Sequence, residues 1–143
     1  MSTTSPAARP AVLFVCVKNG GKSQMAAGLM KFEAGSEVTV TSAGTHPGKA
    51  INALSAEVLQ DLGIDIGAEQ PKALTEENMR TAGLVVVLGT EAHVPAVEGV
   101  SVEIWETDEP SLRGVEGRER MELVRDDIHG RVKDLKNRLL ASH

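Results

Sequence analysis

The residues with the most chemistry in them stand together: Cys16-Val17-Lys18-Asn19-Gly20-Gly21-Lys22-Ser23. Glycines let a turn tighten until several consecutive backbone N–H groups converge on one point. Lys22 adds a full positive charge. Ser23 opens a run of helical character, so a helix N-terminus faces the same point and favours negative charge there. This arrangement binds a tetrahedral oxyanion and stabilises a thiolate on Cys16 by the same forces. Cys16 is the only cysteine in the sequence, so an internal disulfide and a metal site built on several thiolates are both excluded. A lone cysteine is otherwise a small buried hydrophobe. The glycine-rich context argues instead for a nucleophile, with the loop from Val17 to Ser23 as its anion cradle.

A nucleotide-binding loop is the nearest competing pattern, Gly-x-x-x-x-Gly-Lys-Ser/Thr. Gly21-Lys22-Ser23 matches its end, but Cys16 stands where its first glycine belongs. The later apolar run Leu84 to Leu88 leads into Gly89-Thr90 and not into an aspartate that could help hold Mg²⁺. Nucleotide hydrolysis is therefore disfavoured.

The elements that must position Cys16 can be read around it. Ala11 to Val15 is a continuous apolar run, expected as a strand buried on both faces. Ser23 to Glu33 reads as a helix with Met25, Leu29 and Phe32 on its apolar face. Val38 to Thr41 is a β-branched second strand, and Ser42 to Gly48 is expected as a loop. Ile51, Leu54, Val58 and Leu62 mark a second helix that stops at Gly63. Thr75 caps a short third helix with Glu76 and Glu77 in its first turn. Leu84 to Leu88 and Val100 to Trp105 give two more strands, the last alternating through Val102 and Ile104. A final helix spans about Gly117 to Leu140, with Met121, Val124, Ile128, Val132, Leu135 and Leu139 as its stripe. Strands alternating with helices predict a three-layer α/β sandwich, a four-stranded parallel sheet flanked by helices. Ligands of such folds bind beyond the carboxyl ends of the strands, which is where Cys16 falls.

Composition sets the limits. The 143 residues suit one domain, predicted as 11–143 behind a loose Ser/Thr/Ala/Pro-rich tail at 1–10. A net charge of −5 argues against a nucleic-acid partner but not against a small anionic substrate. No apolar run approaches the roughly 18 residues of a membrane span. The tail lacks the features of a signal peptide, so a cytoplasmic protein is expected. No His/Asp/Glu cluster has metal-ligand spacing, and no metal or bound cofactor is predicted. His46 and His93 fall in loops and His143 is terminal, while His129 is expected on the exposed face of the last helix. The charges Arg118-Glu119-Arg120 are expected to be a solvated face.

With its cysteine first, the loop resembles the Cys-x5-Arg-Ser loop of the low-molecular-weight protein tyrosine phosphatases and their arsenate-reductase relatives. Cys16 and Lys22-Ser23 follow the first strand, Ser42-Ala43-Gly44-Thr45 the second, and Asp108-Glu109-Pro110 lies near the end. Gln24-Met25-Ala26 after the serine resembles the arsenate-reductase side, and the chain has no tyrosine to line an aromatic slot. The stretch as a whole is similar to actinobacterial arsenate–mycothiol transferases. The resemblance implies an attack of Cys16 on arsenate, with Lys22 beside the anion and Asp108 as the acid. Ser23 would hydrogen-bond the thiolate, and Asn19 would hold the loop with Ser42 as its partner. Lys22 departs from the family's arginine and offers a point charge in place of a bidentate fork, so phosphatase activity should be weak. Thioredoxin-coupled relatives carry two further cysteines that this chain lacks. The second thiol must then come from outside, and the resemblance implies mycothiol as co-substrate with mycoredoxin downstream. Glutathione or a glutaredoxin remains open, as does hydrolysis of non-aromatic phosphate esters. A binding module without catalysis is the non-enzymatic alternative.

Overall fold

The computed structural model describes residues 9–141. The expected tail lies outside the described residues except for Arg9 and Pro10, and His143 lies outside them too. The elements run β1 (Ala11–Cys16), α1 (Lys22–Ala34), β2 (Thr39–Gly44), α2 (Ala53–Gln60), α3 (Glu76–Ala82), β3 (Leu84–Leu88), β4 (Ser101–Trp105) and α4 (Gly117–Ala141). Single tight helical turns follow α1 at Gly35–Glu37 and precede α4 at Pro110–Arg113. The four strands form one parallel sheet in the order β2-β1-β3-β4. The three-layer α/β expectation is met.

Strand order explains where the site lies. From β1 the chain crosses to one side to make β2, and β3 then takes the other side of β1. The carboxyl end of β1 is thus the point at which the sheet changes direction, and a crevice opens there. Cys16 is the last residue of β1, opposite Gly44 of β2.

Two apolar layers hold the sheet. One joins Val12, Phe14, Val86 and Leu88 to α1, α2 and α4; the other joins Leu13, Val15, Val85 and Val87 to Met79 of α3. Every residue of α1 from Ser23 to Met30 is buried, because the helix is wedged between the sheet, α2 and α4. Gly28 permits this packing: a Cβ there would come within 3.1–3.3 Å of Ile66, Ile64 and Leu59. Val124, Ile128, Val132 and Leu135 of α4 are fully buried, each contributing on the order of 1.5–3 kcal/mol.

Several expectations shift. β2 continues through Ser42 and Ala43 to Gly44, where a loop was expected, because β1 pairs with it to the last residue. α2 begins only at Ala53, since Asn52 caps it by accepting the Ser55 N–H at 2.9 Å. Phe32 is 56% exposed; Leu29, Met30 and Ala34 point inward instead. Ile104 is 61% exposed on β4, an edge strand of the sheet. His129 is not on a free face. Its Nε2 lies 2.7 Å from Glu33 Oε2 and ties α4 to α1, and this contact holds the Glu33 carboxyl below its ordinary range.

Candidate active site

The loop between β1 and α1 is fixed by its carbonyls. Cys16, Val17 and Lys18 accept from the N–H groups of Thr45, His46 and Gly48, at 3.1, 2.8 and 2.9 Å. Asn19 O accepts from the Gln24 side chain at 3.2 Å, Gly20 O from Asn52 N–H at 2.7 Å, and Gly21 O from Met25 N–H at 2.9 Å. Every carbonyl from 16 to 21 is therefore engaged. In a planar trans peptide the N–H points opposite to the C=O. Anchoring these carbonyls turns the N–H groups of residues 17 to 22 away from their anchors and gathers them as a nest. Gly21 is the N-cap of α1 and carries no side chain to close it, so the helix end adds its own donors.

Asn19 organises the interior of the loop. It is fully buried and has φ 54°, the left-handed region, where asparagine is tolerated better than most residues. Its Oδ1 accepts from Lys72 N–H at 2.9 Å and from Gln24 Nε2 at 3.2 Å. Those two donors fix the amide so that Nδ2 faces Ser23 and donates to its Oγ at 2.8 Å. Ser23 Oγ lies 2.9 Å from Cys16 Sγ, and when the sulfur is a thiolate the hydroxyl is the donor of that pair. Asn19 N–H also donates to Cys16 Sγ at 3.2 Å. Two donors thus converge on the sulfur and complement a thiolate.

Ser42, expected as the partner of Asn19, is not among these contacts. It sits opposite Phe14 in the sheet register, two residues short of the loop. The β2 residue at loop level is Gly44. A Cβ there would lie 2.6 Å from Val17 O and 3.0 Å from Asn19 N and Cβ, so only glycine lets the strand pass. Gly44→Ala should push the loop aside. We expect stability to fall by about 1–3 kcal/mol and turnover by about a hundredfold, as read by thermal denaturation and steady-state kinetics.

A cavity of about 580 Å³ opens at Cys16, and Val17, Lys18, Lys22, Leu88, Glu109 and Arg120 are among its lining residues. Asp108, expected as the acid, does not line it. Its carboxylate is taken by the Arg113 guanidinium at 2.8 and 2.9 Å, and its N–H donates to Asp127 at 2.8 Å. Arg113 holds the Asp108 carboxyl below the ordinary range. The next residue, Glu109, faces the cavity. Arg120 Nε and Nη2 grip it at 2.8 and 3.0 Å, Ser111 Oγ donates at 2.7 Å, and Lys22 Nζ lies 3.9 Å from Oε1. These contacts, Arg120 foremost, lower the Glu109 carboxyl to about 2. Arg120, expected to be solvated, is thus a wall of the site. The sequence signal for it was its place four residues before Val124: the first turns of α4 share the face that packs inward.

The sequence pattern of the low molecular weight phosphotyrosine protein phosphatase family matches residues 11–142. The arsenate reductase of Halalkalibacterium halodurans is 32% identical over 128 residues, 85% of this chain and 91% of that protein. The arsenate reductase of Staphylococcus aureus (strain Newman) is 30% identical over 132 residues, 89% of this chain and 96% of that protein. Among solved structures, the Corynebacterium glutamicum thioredoxin-dependent arsenate reductase superposes with a TM-score of 0.79 at 33% identity. That superposition covers 94% of this chain and 64% of that protein, so the chain spans somewhat under two thirds of its length. With a cysteine at the switch point of a parallel sheet, a nest of N–H groups around it and these relatives, the chain belongs to the low molecular weight phosphotyrosine protein phosphatase family, on its arsenate-reductase branch.

Proposed function

We propose that the protein is an arsenate reductase of the thiol-transfer kind: Cys16 attacks arsenate, and an external thiol, mycothiol, takes the arsenic from it. The observation that carries this reading is the lining of the Cys16 cavity, which contains no aromatic ring and sets Lys18, Lys22 and Arg120 beside the carboxylates of Glu91 and Glu109. A phosphotyrosine ring would find no stacking surface there, whereas a small inorganic oxyanion needs only donors and cations. The relatives named arsenate reductase support the same substrate.

Arsenate sits in the nest of N–H groups with Lys22 alongside. The Cys16 thiolate, aligned by Ser23 and Asn19, forms an S–As bond as an As–O bond breaks. The departing oxygen needs a proton to leave as water; of the two carboxyls that line the cavity, Glu91 and Glu109, Glu109 is the one beside Lys22. At rest Glu109 is ionised under Arg120 and Lys22. An incoming dianion competes for both cations and places negative charge next to the carboxylate, and each effect raises its proton affinity. With substrate bound, Glu109 can take a proton from solvent and pass it to the departing oxygen, which leaves as water. With one cysteine in the sequence, no disulfide relay can follow within the chain, and the adduct waits for a thiol from solution.

The test mixes protein with arsenate, mycothiol, mycoredoxin and an NADPH-linked mycoredoxin reductase. Arsenate-dependent NADPH oxidation is the expected result. Brisk p-nitrophenyl phosphate hydrolysis without it would assign the site to phosphate esters.

A further inference from the structure

We propose that the cleft alongside the Cys16 loop, between the 48–52 segment and the start of α4, seats the body of the external thiol and that Lys49 is one of its binding residues. This rests on the external-thiol reading above. The cleft has a volume of about 530 Å³, within the range of small-ligand sites, roughly 300–1,000 Å³. It shares Lys18, Lys22 and Arg120 with the Cys16 cavity, so those three side chains form a common wall between them. A thiol lying in the cleft can extend its sulfur across that wall to an arsenic held on Cys16.

The lining states what the body of the ligand must offer. Lys18 and Lys49 stand at the rim, and neither ammonium has a carboxylate or hydrogen-bond partner among the described residues. Asn52 adds an amide from the cap of α2, and Met121 and Val124 supply an apolar floor. The complementary molecule is rich in hydrogen-bond acceptors around a compact carbon frame. A thiol on a polyhydroxylated pseudodisaccharide and a thiol on a carboxylated peptide share this chemistry.

Once the body is seated, the incoming thiol gives its proton to solvent and its sulfur attacks arsenic. A new S–As bond forms, the Cys16 S–As bond breaks, and Cys16 leaves as the thiolate with which it began. Arsenic stays pentavalent through the exchange, so no oxidant or reductant is required at this step.

The experiment uses the intact protein in two parts. Amide NMR spectra are recorded during titration with S-methyl-mycothiol and, separately, S-methylglutathione, in buffer saturated with phosphate to occupy the nest. Shifts concentrated at residues 48–52 and 120–124 are expected for one of the two, and the one that binds identifies the thiol. No shift with either, or shifts on another face, overturns the proposal. In kinetics, Lys49→Ala should raise the KM for that thiol about fivefold and leave the KM for arsenate within about twofold, with Lys49→Arg restoring most of the loss. An unchanged thiol KM overturns it as well. Because the titration needs no turnover, the two readings fail separately. Absence of arsenate-dependent NADPH oxidation would remove the reaction and leave the seat, whereas turnover without shifts at 48–52 would do the reverse.

Discussion

Cys16→Ser should abolish arsenate-dependent NADPH oxidation, with a loss of at least about a thousandfold, while the protein stays folded and still binds phosphate. The side chain that changes is small, partly exposed and at the edge of the core, and serine is close to it in size, so the fold should hold. The carbonyl anchors of residues 16 to 21 are backbone or Gln24 contacts and do not depend on the sulfur. Phosphate should therefore raise the melting temperature of the variant and of the parent alike. Serine cannot replace the thiolate, because its hydroxyl is not ionised near neutrality, no histidine lines the cavity, and the lowered Glu109 carboxylate is too weak a base to activate it. Retention of activity by Cys16→Ser would sink the mechanism as a whole. Loss of phosphate stabilisation in the same variant would show that the nest depends on the sulfur.

The second large effect concerns Glu109 and its clamp. Glu109→Gln should lower turnover by about a hundredfold to a thousandfold, because the amide keeps the shape and loses the proton. Asp108→Asn should cost much less, since that carboxylate faces Arg113 and not the cavity. If Asp108→Asn proves the damaging change, the assignment of the acid reverts to Asp108. Arg120→Ala removes the largest cause of the low Glu109 value, about 2 against an ordinary 4.5, and the free-enzyme value should move up toward the ordinary one. A group that acts in its protonated form sets the alkaline limb of a kcat/KM profile, so that limb should then shift to higher pH. The sign for stability follows from the same lowered value. A carboxylate depressed in the folded state contributes stability that is present above about 4.5 and is lost as pH falls toward about 2. Arg120→Ala should therefore narrow the difference in melting temperature between neutral and acid solution. An alkaline limb unmoved by Arg120→Ala would show that the clamp does not set the state of Glu109.

The contrast between Asp108 and Glu109 shows where sequence reasoning stops. Two adjacent carboxylates before Pro110 are equivalent by spacing. What separates them is the tight turn at Pro110–Arg113 and the two arginines that it and α4 bring up, Arg113 to one and Arg120 to the other. Those pairings depend on how α4 docks, which no local pattern encodes. The same limit applies to Ser42 and Gly44. Both lie in a plausible loop string, and only the pairing of β1 with β2 shows that the string is a strand with glycine at the level of Asn19. By contrast, the buried β1 strand, the glycine loop and α1 were legible, because an apolar run, a flexible turn and a helical period each carry local chemistry. The stripe of α4 was legible for the same reason, and Val124, Ile128, Val132 and Leu135 are all buried. Phe32 and His129 were misplaced because the inward face of a wedged helix is chosen by its neighbours. Phe32 turns out to solvent, while His129 finds Glu33 across the helix contact.

The carbonyl anchoring of residues 16 to 21 has a consequence for how such a protein can change over time. The grip on the anion comes from the main chain, and its scaffolding from glycines 20 and 44 and from the Asn19, Ser23 and Gln24 group. Val17 and Lys18 contribute peptide groups to the nest, but their side chains are not part of that scaffold. Mutation can therefore sample residues 17 and 18 without disturbing the main-chain nest, at the cost only of the Lys18 charge. Those two positions adjoin the place where a second reactant must arrive, so the least constrained letters of the loop are the ones best placed to alter which reactant it meets.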